Sequence, residues 1–359
     1  MDGPDTQPEG APPEASELIV EALRLAAIGG EIVEEMPPGA STRRFFRVRA
    51  QDGPTLVAMY APGAMGGPSA ARQATGHGSF LATQSLLAAW GLPVPTIVAS
   101  VPERDVLFVE DLGPETLAQH LRRCPDSAAR LYADAVRLLA QAQAAFTDAP
   151  VPSVVTERAF DYDLLRFEVD HFLEWALLAR GVVVSERGRA TFATAADFLA
   201  RSVAELPRGF VHRDYQSRNL MVRQAQDGNS LTWIDFQDAM LGPRAYDLVA
   251  LLMDSYQNFD EQFVQARLHD YLRARGASDY AALRQEFDLI TVQRKLKDAG
   301  RFVYLHRQRG NPSFLDYVDG AIARARAALD RIKGETPELT ALADFLADVL
   351  SRGSSGASE

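Results

Sequence analysis

An α+β fold in two lobes is what this sequence predicts: a small, mostly antiparallel sheet lobe over residues 17–112 and a mostly helical lobe over residues 113–350. Three observations carry it. Two short runs rich in β-branched and aromatic residues, 44–49 and 55–60, flank the turn signal "QDG", the pattern of a hairpin. "VPTIVAS" and "DVLFVEDLG" add two more strand-like runs. From residue 115 the apolar spacing changes to that of helices, with matches at i, i+3, i+4 and i+7.

The elements follow in order. Residues 17–28 form an amphipathic helix with Ser16 at its N-cap, a hydroxyl well suited to an orphan amide. After the hairpin and its Gly-Ala-Ser-Thr approach, a helix covers 78–90 and stops at Gly91, as helices tend to do at a residue free to turn left-handed. The lobes join near Glu110–Gly113. Helices then span 126–147, capped by Asp126, then 161–180 and 189–205, and after a hairpin around "DGNS" 245–257, 260–275, 280–309 and 313–333. Residues 1–16, rich in proline and acid, and 351–359, rich in serine and glycine, are expected to be disordered tails.

Composition narrows the function. The 359 residues carry a net charge of -11, a field that repels phosphate polymers, so no nucleic-acid partner is expected. The single cysteine, Cys124, permits no internal disulfide and fits a reducing cytoplasm. There is no secretory leader pattern and no apolar run long enough for a membrane helix. A cytoplasmic monomer with a small-molecule partner and no membrane partner is the expectation.

The chemistry sits in "VHRDYQSRNLMV", residues 211–222, where His212 to Asn219 fit the spacing H-R-D-x-x-x-x-N of a phosphoryl-transfer loop. Downstream, "LTWIDFQD" sets Asp235 at the end of an apolar strand. Asn219 offers an amide oxygen and Asp235 a carboxylate, the hard oxygen ligands that Mg²⁺ bound to a nucleoside triphosphate prefers. Asp214 is then free to orient an alcohol and take its proton. His212 is expected to hold the loop's shape, and Arg213 and Arg218 to neutralise it or touch substrate. Asp247, in "RAYDLVALL", reads as a helix N-cap.

"VHRDYQSRNLMV" together with "WIDFQDAMLGPRAYDLVALL" resembles the aminoglycoside phosphotransferase and choline kinase superfamily, small-molecule relatives of the protein kinases. Only about a dozen residues separate Asp235 from Asp247, leaving no room for an activation loop, and Gln216 stands where serine/threonine protein kinases have lysine. Both departures favour a small acceptor. "STRRFFRV", "FVEDLG", "LLRFEVDHFLEWAL", "DFQDAMLGPRAYDL" and "QRKLKDAGRF" are similar to the anomeric sugar kinases of bacterial cell-wall recycling, which phosphorylate the C1 hydroxyl of N-acetylmuramate and N-acetylglucosamine.

That resemblance implies a protein-kinase-like fold, ATP with Mg²⁺ near the hinge, Asp214 as the catalytic carboxylate, and Asn219 and Asp235 on the metal. It implies adenine bonded to the main chain of Glu110 and Leu112. The strand residue that is lysine or arginine in kinase relatives is Met59 here. Ser41, Thr42, Arg43 and Arg44, in the preceding turn, are candidates to meet the phosphate charge instead; a solvated strand edge accounts for the arginines equally well.

For the sugar, Glu168, His171 and Trp175 share one stripe of helix 161–180, two polar groups beside an indole; a half-exposed helix edge is the competing account. Lys297 and Arg301 lie four residues apart on helix 280–309. A solvated basic face explains them more simply, but either can receive the lactyl carboxylate of a muramate. Two alternatives stay open: a kinase of another small acceptor, such as an aminoglycoside, choline, homoserine or a thio-sugar, and a nucleotide-binding module without catalysis.

Overall fold

The computed structural model describes residues 14–37, 43–62, 77–147, 153–225 and 228–353. The chain divides into two compact units, one of residues 1–85 and 94–113, the other of residues 86–93 and 114–359.

In the first unit, helix α1 (Ala15–Leu25) precedes strands β1 (Gly30–Glu35), β2 (Arg44–Ala50) and β3 (Thr55–Tyr60). Helix α2 (His77–Ala89), whose residues from 86 on count with the second unit, β4 (Ile97–Val101) and β5 (Val106–Glu110) follow. The five strands form one antiparallel sheet in the order β1-β2-β3-β5-β4. Alternation along the strands sends Phe46, Val48, Leu56, Ala58, Val106 and Phe108 to one face, where Ile19, Ala22 and Leu23 of α1 cover them. Arg47, Val57 and Met59 alternate with that set on β2 and β3. Gly91 ends α2 as expected: at φ +70° its N–H bonds Ala88 O, and Leu92 N–H bonds Leu87 O, a closure that a side chain with Cβ would strain.

In the second unit, α3 (Leu117–Arg123), α4 (Ala128–Thr147), α5 (Tyr162–His171) and α6 (Glu186–Ala204) precede two small antiparallel pairs. β6 (Arg208–Val211) pairs with β9 (Met240–Pro243), and β7 (Leu220–Ala225) with β8 (Gly228–Trp233). Then come α7 (Tyr246–Leu252), α8 (Glu261–Ala274), α9 (Tyr280–Arg309), α10 (Val318–Ile332) and α11 (Pro337–Gly353). Among the described residues no helix is long and apolar enough to cross a membrane.

The structure corrects several local expectations. Helix α1 starts at Ala15 with Glu14 at its N-cap, so Ser16 lies inside it and caps nothing. Asp126 sits in a 3-10 turn ahead of α4 rather than capping it. The single helix expected over 161–180 is three pieces: α5, a wide π turn over Phe172–Leu177 and a 3-10 turn over Leu178–Arg180. Strands β1, β6 and β9 and helices α3 and α11 are additional. Helix α3 carries a legible signal in "TLAQ": Thr116 and Gln119 form a reciprocal capping box.

Candidate active site

The loop between β6 and β7 carries Asp214 and Asn219, and the turn after β8 carries Asp235. Hydrogen bonds link these two segments directly. Ile234 N–H donates to Asn219 O at 3.0 Å. The Asn219 amide nitrogen donates to Asp214 O at 2.8 Å and lies 3.4 Å from Asp235 Oδ2. Asn219 thereby ties the loop's first functional residue to its last, with its amide oxygen left for a cation. Gln237 donates to Asp235 Oδ1 at 2.9 Å.

The loop is strained where its chemistry is. Arg213 has φ +80° and Asp235 φ +62°, conformations that non-glycine residues hold only when their surroundings over-determine them. For Arg213 those surroundings are plain. Asp247 accepts from the N–H of Arg213 at 3.0 Å and from the N–H of His212 at 2.5 Å. Arg294, on α9, donates to Arg213 O at 3.1 Å. The peptide before Asp214 is thus gripped from both sides. Burial pushes the Asp247 carboxyl up to about 7, against the lowering effect of the His212 N–H, the Arg294 guanidinium and the Arg213 N–H. Asp247 is therefore not the N-cap expected from its place at the head of a helix: Ala245 occupies that position and no side chain caps it.

His212 does the structural work expected of it. It is fully buried, its Nε2 lies 3.1 Å from Ile234 O, and its ring packs on Tyr215 and Trp233. Burial lowers its pKa, which keeps the imidazole neutral. Further along the loop Tyr215 donates to Ala135 O at 2.8 Å, and Asp254 accepts from Ser217 N–H at 3.0 Å. Arg218 is exposed and stacks over the ring of Tyr256 at 3.3 Å.

Asp214 itself keeps 43 % of its side chain exposed, while the Arg294 side chain, 3.7 Å away, is 1 % exposed. A solute can reach the carboxylate from one side while a buried cation backs it on the other. Burial alone would raise the Asp214 pKa; Arg294, then Lys297 and Arg213, outweigh it and hold the carboxyl below its ordinary value.

Helix α9 brings a group of buried charges to this place. Lys295 donates to Asp298 at 2.8 Å and to Ser255 Oγ at 3.2 Å. Lys297 lies 3.5 Å from Asp298, with its side chain only 17 % exposed. Burial would lower the Lys297 pKa, but Tyr246, Glu168 and Asp298 raise it on balance. The solvated basic face expected for Lys297 and Arg301 is therefore wrong for the lysine. It holds for Arg301, which is exposed and stacks on Tyr304.

Glu168, likewise, is no half-exposed edge. It is buried, 3.7 Å from the Arg213 guanidinium and 3.5 Å from Gln293 Nε2. His171 and Trp175 do not join it. His171 Nδ1 lies 3.0 Å from Phe167 O, and both rings pack edge-on against Tyr304. His171 shares the last turns of α5 with Glu168, whereas Trp175 lies in the π turn, whose wider spacing takes it off the straight-helix line. α5 and α9 meet so closely that a Cβ on Gly300 would fall 2.1 Å from His171 O; glycine is required there.

The nucleotide candidates of the first unit fare unevenly. Ser41 and Thr42 lie outside the described residues. Arg43, half-buried, leads into β2. The fork of Arg44 is engaged by Glu35, at 2.7 and 2.8 Å. In the segment whose main chain is expected to meet adenine, the Glu110 N–H donates to Thr96 O at 2.9 Å. Leu112 follows β5 in the segment that Asp111 braces by bonding Arg47 at 2.8 Å and Gly113 N–H at 2.9 Å. Met59 is buried between Phe45 and Leu107 in the sheet register.

Among the described residues no group of three or more histidine, cysteine or acidic side chains is gathered to hold a metal by itself. One amide and one carboxylate in contact suit Mg²⁺, which takes few protein ligands and completes its shell with phosphate oxygens and water. They do not suit zinc, which wants four nitrogen or sulfur ligands.

A strained Asp loop, an Asn–Asp pair and a following helix whose acid grips the loop define a phosphotransferase. The family model for the phosphotransferase enzyme family matches residues 32–285, and the chain belongs to that family. It is 33% identical over 330 residues to the N-acetylmuramate/N-acetylglucosamine kinase of Pseudomonas aeruginosa, covering 88% of this chain and 90% of that one. With the Pseudomonas putida kinase of the same name it shares 32% over 317 residues, 86% of each chain. The structure of a choline/ethanolamine kinase family protein from Mesorhizobium loti superposes with a TM-score of 0.56 at 16% identity, covering 92% of this chain and 99% of that one. The fold is the protein-kinase-like one that the sequence predicts.

Proposed function

We propose that this protein is an ATP-dependent kinase that phosphorylates the anomeric hydroxyl of N-acetylmuramate and N-acetylglucosamine, in the cytoplasm, as part of peptidoglycan recycling. The observation that carries the proposal is the match, over most of the chain, to relatives bearing that activity in their names, joined to the contact of Asp214, Asn219 and Asp235.

Asp214 orients the C1 hydroxyl through its exposed side. As the sugar oxygen bonds the γ-phosphorus and the bond to the departing ADP breaks, the hydroxyl proton passes to Asp214. A carboxylate with a lowered pKa suits a reaction in which that proton leaves late and positioning does most of the work. Asn219, through its amide oxygen, and Asp235 are the residues that would hold Mg²⁺, which would supply neutralisation of the phosphate charge. Lys297 meets the lactyl carboxylate of a muramate. Its nearest ion-pair partner, Asp298, is already bonded by Lys295, so an anionic acceptor finds a cation with charge to spare. In this reading Glu168, beside Arg213, accepts from a sugar hydroxyl, and Trp175, His171 and Arg301, grouped on Tyr304, are the outer edge against which the acceptor packs.

ADP release measured against a panel of sugars, aminoglycosides and choline tests the acceptor class. Turnover with N-acetylmuramate and N-acetylglucosamine, yielding an acid-labile C1 phosphate, is expected. Turnover confined to another acceptor overturns the assignment.

A further inference from the structure

We infer that Arg294 is a positioning residue for the phosphoryl-transfer base: from α9 it holds both the side chain and the preceding peptide of Asp214 in place. The inference rests on the reading that Asp214 faces the acceptor.

Three contacts of one buried guanidinium carry it. Nη2 lies 3.7 Å from Asp214 Oδ1. Nη1 donates to Arg213 O at 3.1 Å. The guanidinium plane sits 4.7 Å over the ring of Tyr246. A rigid fork with several donors can serve a carboxylate and a carbonyl at once, which a point-charge ammonium does less well.

The second contact is the informative one. Arg213 has φ +80°, and its carbonyl belongs to the peptide that links it to Asp214. Asp247 holds its N–H, but that bond alone leaves the carbonyl end free to swing. Arg294 closes the other end. Tyr246, under the guanidinium, adjoins Asp247 in sequence, so α7 and α9 together clamp the strained residue. The clamp aims the Asp214 side chain.

The other titratable groups facing Asp214 are His212, neutral by burial, and Arg213 on its own loop, and Lys297 from α9. Arg213 and Lys297 are also cationic, but neither side chain is as buried as that of Arg294. A charge shielded from water acts over a given distance more strongly than an exposed one.

The test is a double-mutant cycle on kcat with KM measured alongside, read by ADP release from ATP with N-acetylglucosamine. R294Q is expected to lower kcat by about 10²-fold, the scale of a mispositioned catalytic group, with KM for ATP and for the sugar changed less than about 3-fold. R294K, which keeps the charge and loses the fork, is expected to lower kcat about 10-fold. Adding R294Q to D214N is expected to cost little further, because the two act as a unit. Full additivity in the double variant, or an R294Q effect confined to KM, overturns the inference. Should R294Q fail to fold by circular dichroism, R294K decides: wild-type kcat in that variant overturns it. D214N alone with wild-type kcat would instead sink the reading on which the inference rests.

Discussion

The amide nitrogen of Asn219 lies 3.4 Å from Asp235 Oδ2, although sixteen residues separate them in the chain. The contact closes the β7–β8 hairpin into one ligand-bearing unit, so each residue supports the other's aim as well as offering an oxygen. Removing either is expected to weaken Mg²⁺ use more than sugar binding. For Asp235→Asn and Asn219→Ala we expect kcat lowered at least about 10²-fold, with a raised Mg²⁺ requirement and little change in KM for the sugar. Initial rates across a Mg²⁺ titration check this; an unchanged Mg²⁺ half-saturation in both variants contradicts it.

Asp247 accepts two backbone N–H groups in a fully buried setting. Asp247→Ala leaves both donors unsatisfied, at about 1–3 kcal/mol each. We expect the unfolding free energy to fall by about 3 kcal/mol and turnover to fall with it, as the strained Arg213 relaxes. Urea unfolding followed by circular dichroism measures the first quantity. A loss under about 1 kcal/mol contradicts the tether.

Asp298 is the counter-ion of a buried cation group. Burial pushes its pKa up, but Lys295, Lys297 and Arg294 pull it far below the ordinary carboxylate range. A depressed folded-state pKa gives stability that is fully present above the unfolded value, about 3.9, and disappears as pH falls through the lower folded value. Asp298→Asn is expected to destabilise by about 3–5 kcal/mol, because buried cations lose their partner. The difference between wild type and variant should hold constant from about pH 8 to 5 and shrink below about 4. A difference that grows on acidification contradicts this account.

Lys297 is expected to set preference between the two sugars, since only the muramate carries a carboxylate. Lys297→Met should raise the KM ratio of N-acetylmuramate to N-acetylglucosamine by about 10-fold or more, the scale of one lost charged hydrogen bond. Steady-state kinetics with both sugars gives the ratio; an unchanged value removes Lys297 from acceptor recognition.

Much of this site is legible in the sequence because its chemistry is local. Asp214 and Asn219 sit on one loop at fixed spacing, and Asp235 lies just past the hairpin that follows. Asp247 reads as a helix cap because its true partners lie 34 and 35 residues upstream, beyond any local pattern. Lys297 reads as part of a solvated basic face because polarity alone suggests exposure, and nothing local in the sequence singles out Arg294 or Asp298, whereas here the charges satisfy one another inside the protein. The π turn at Phe172–Leu177 has no composition signal, so the continuation of the Glu168–His171 stripe to Trp175 looks straight and is not. The β6–β9 pair escapes for the same reason as Asp247: each strand has four residues and finds its partner far along the chain.

The central claim is that Asp214 receives the acceptor's proton. Turnover of Asp214→Asn with ATP and N-acetylglucosamine, read by ADP release, tests it most directly. A folded variant with kcat lowered at least about 10²-fold is the predicted result; a folded variant that turns over at the wild-type rate contradicts it.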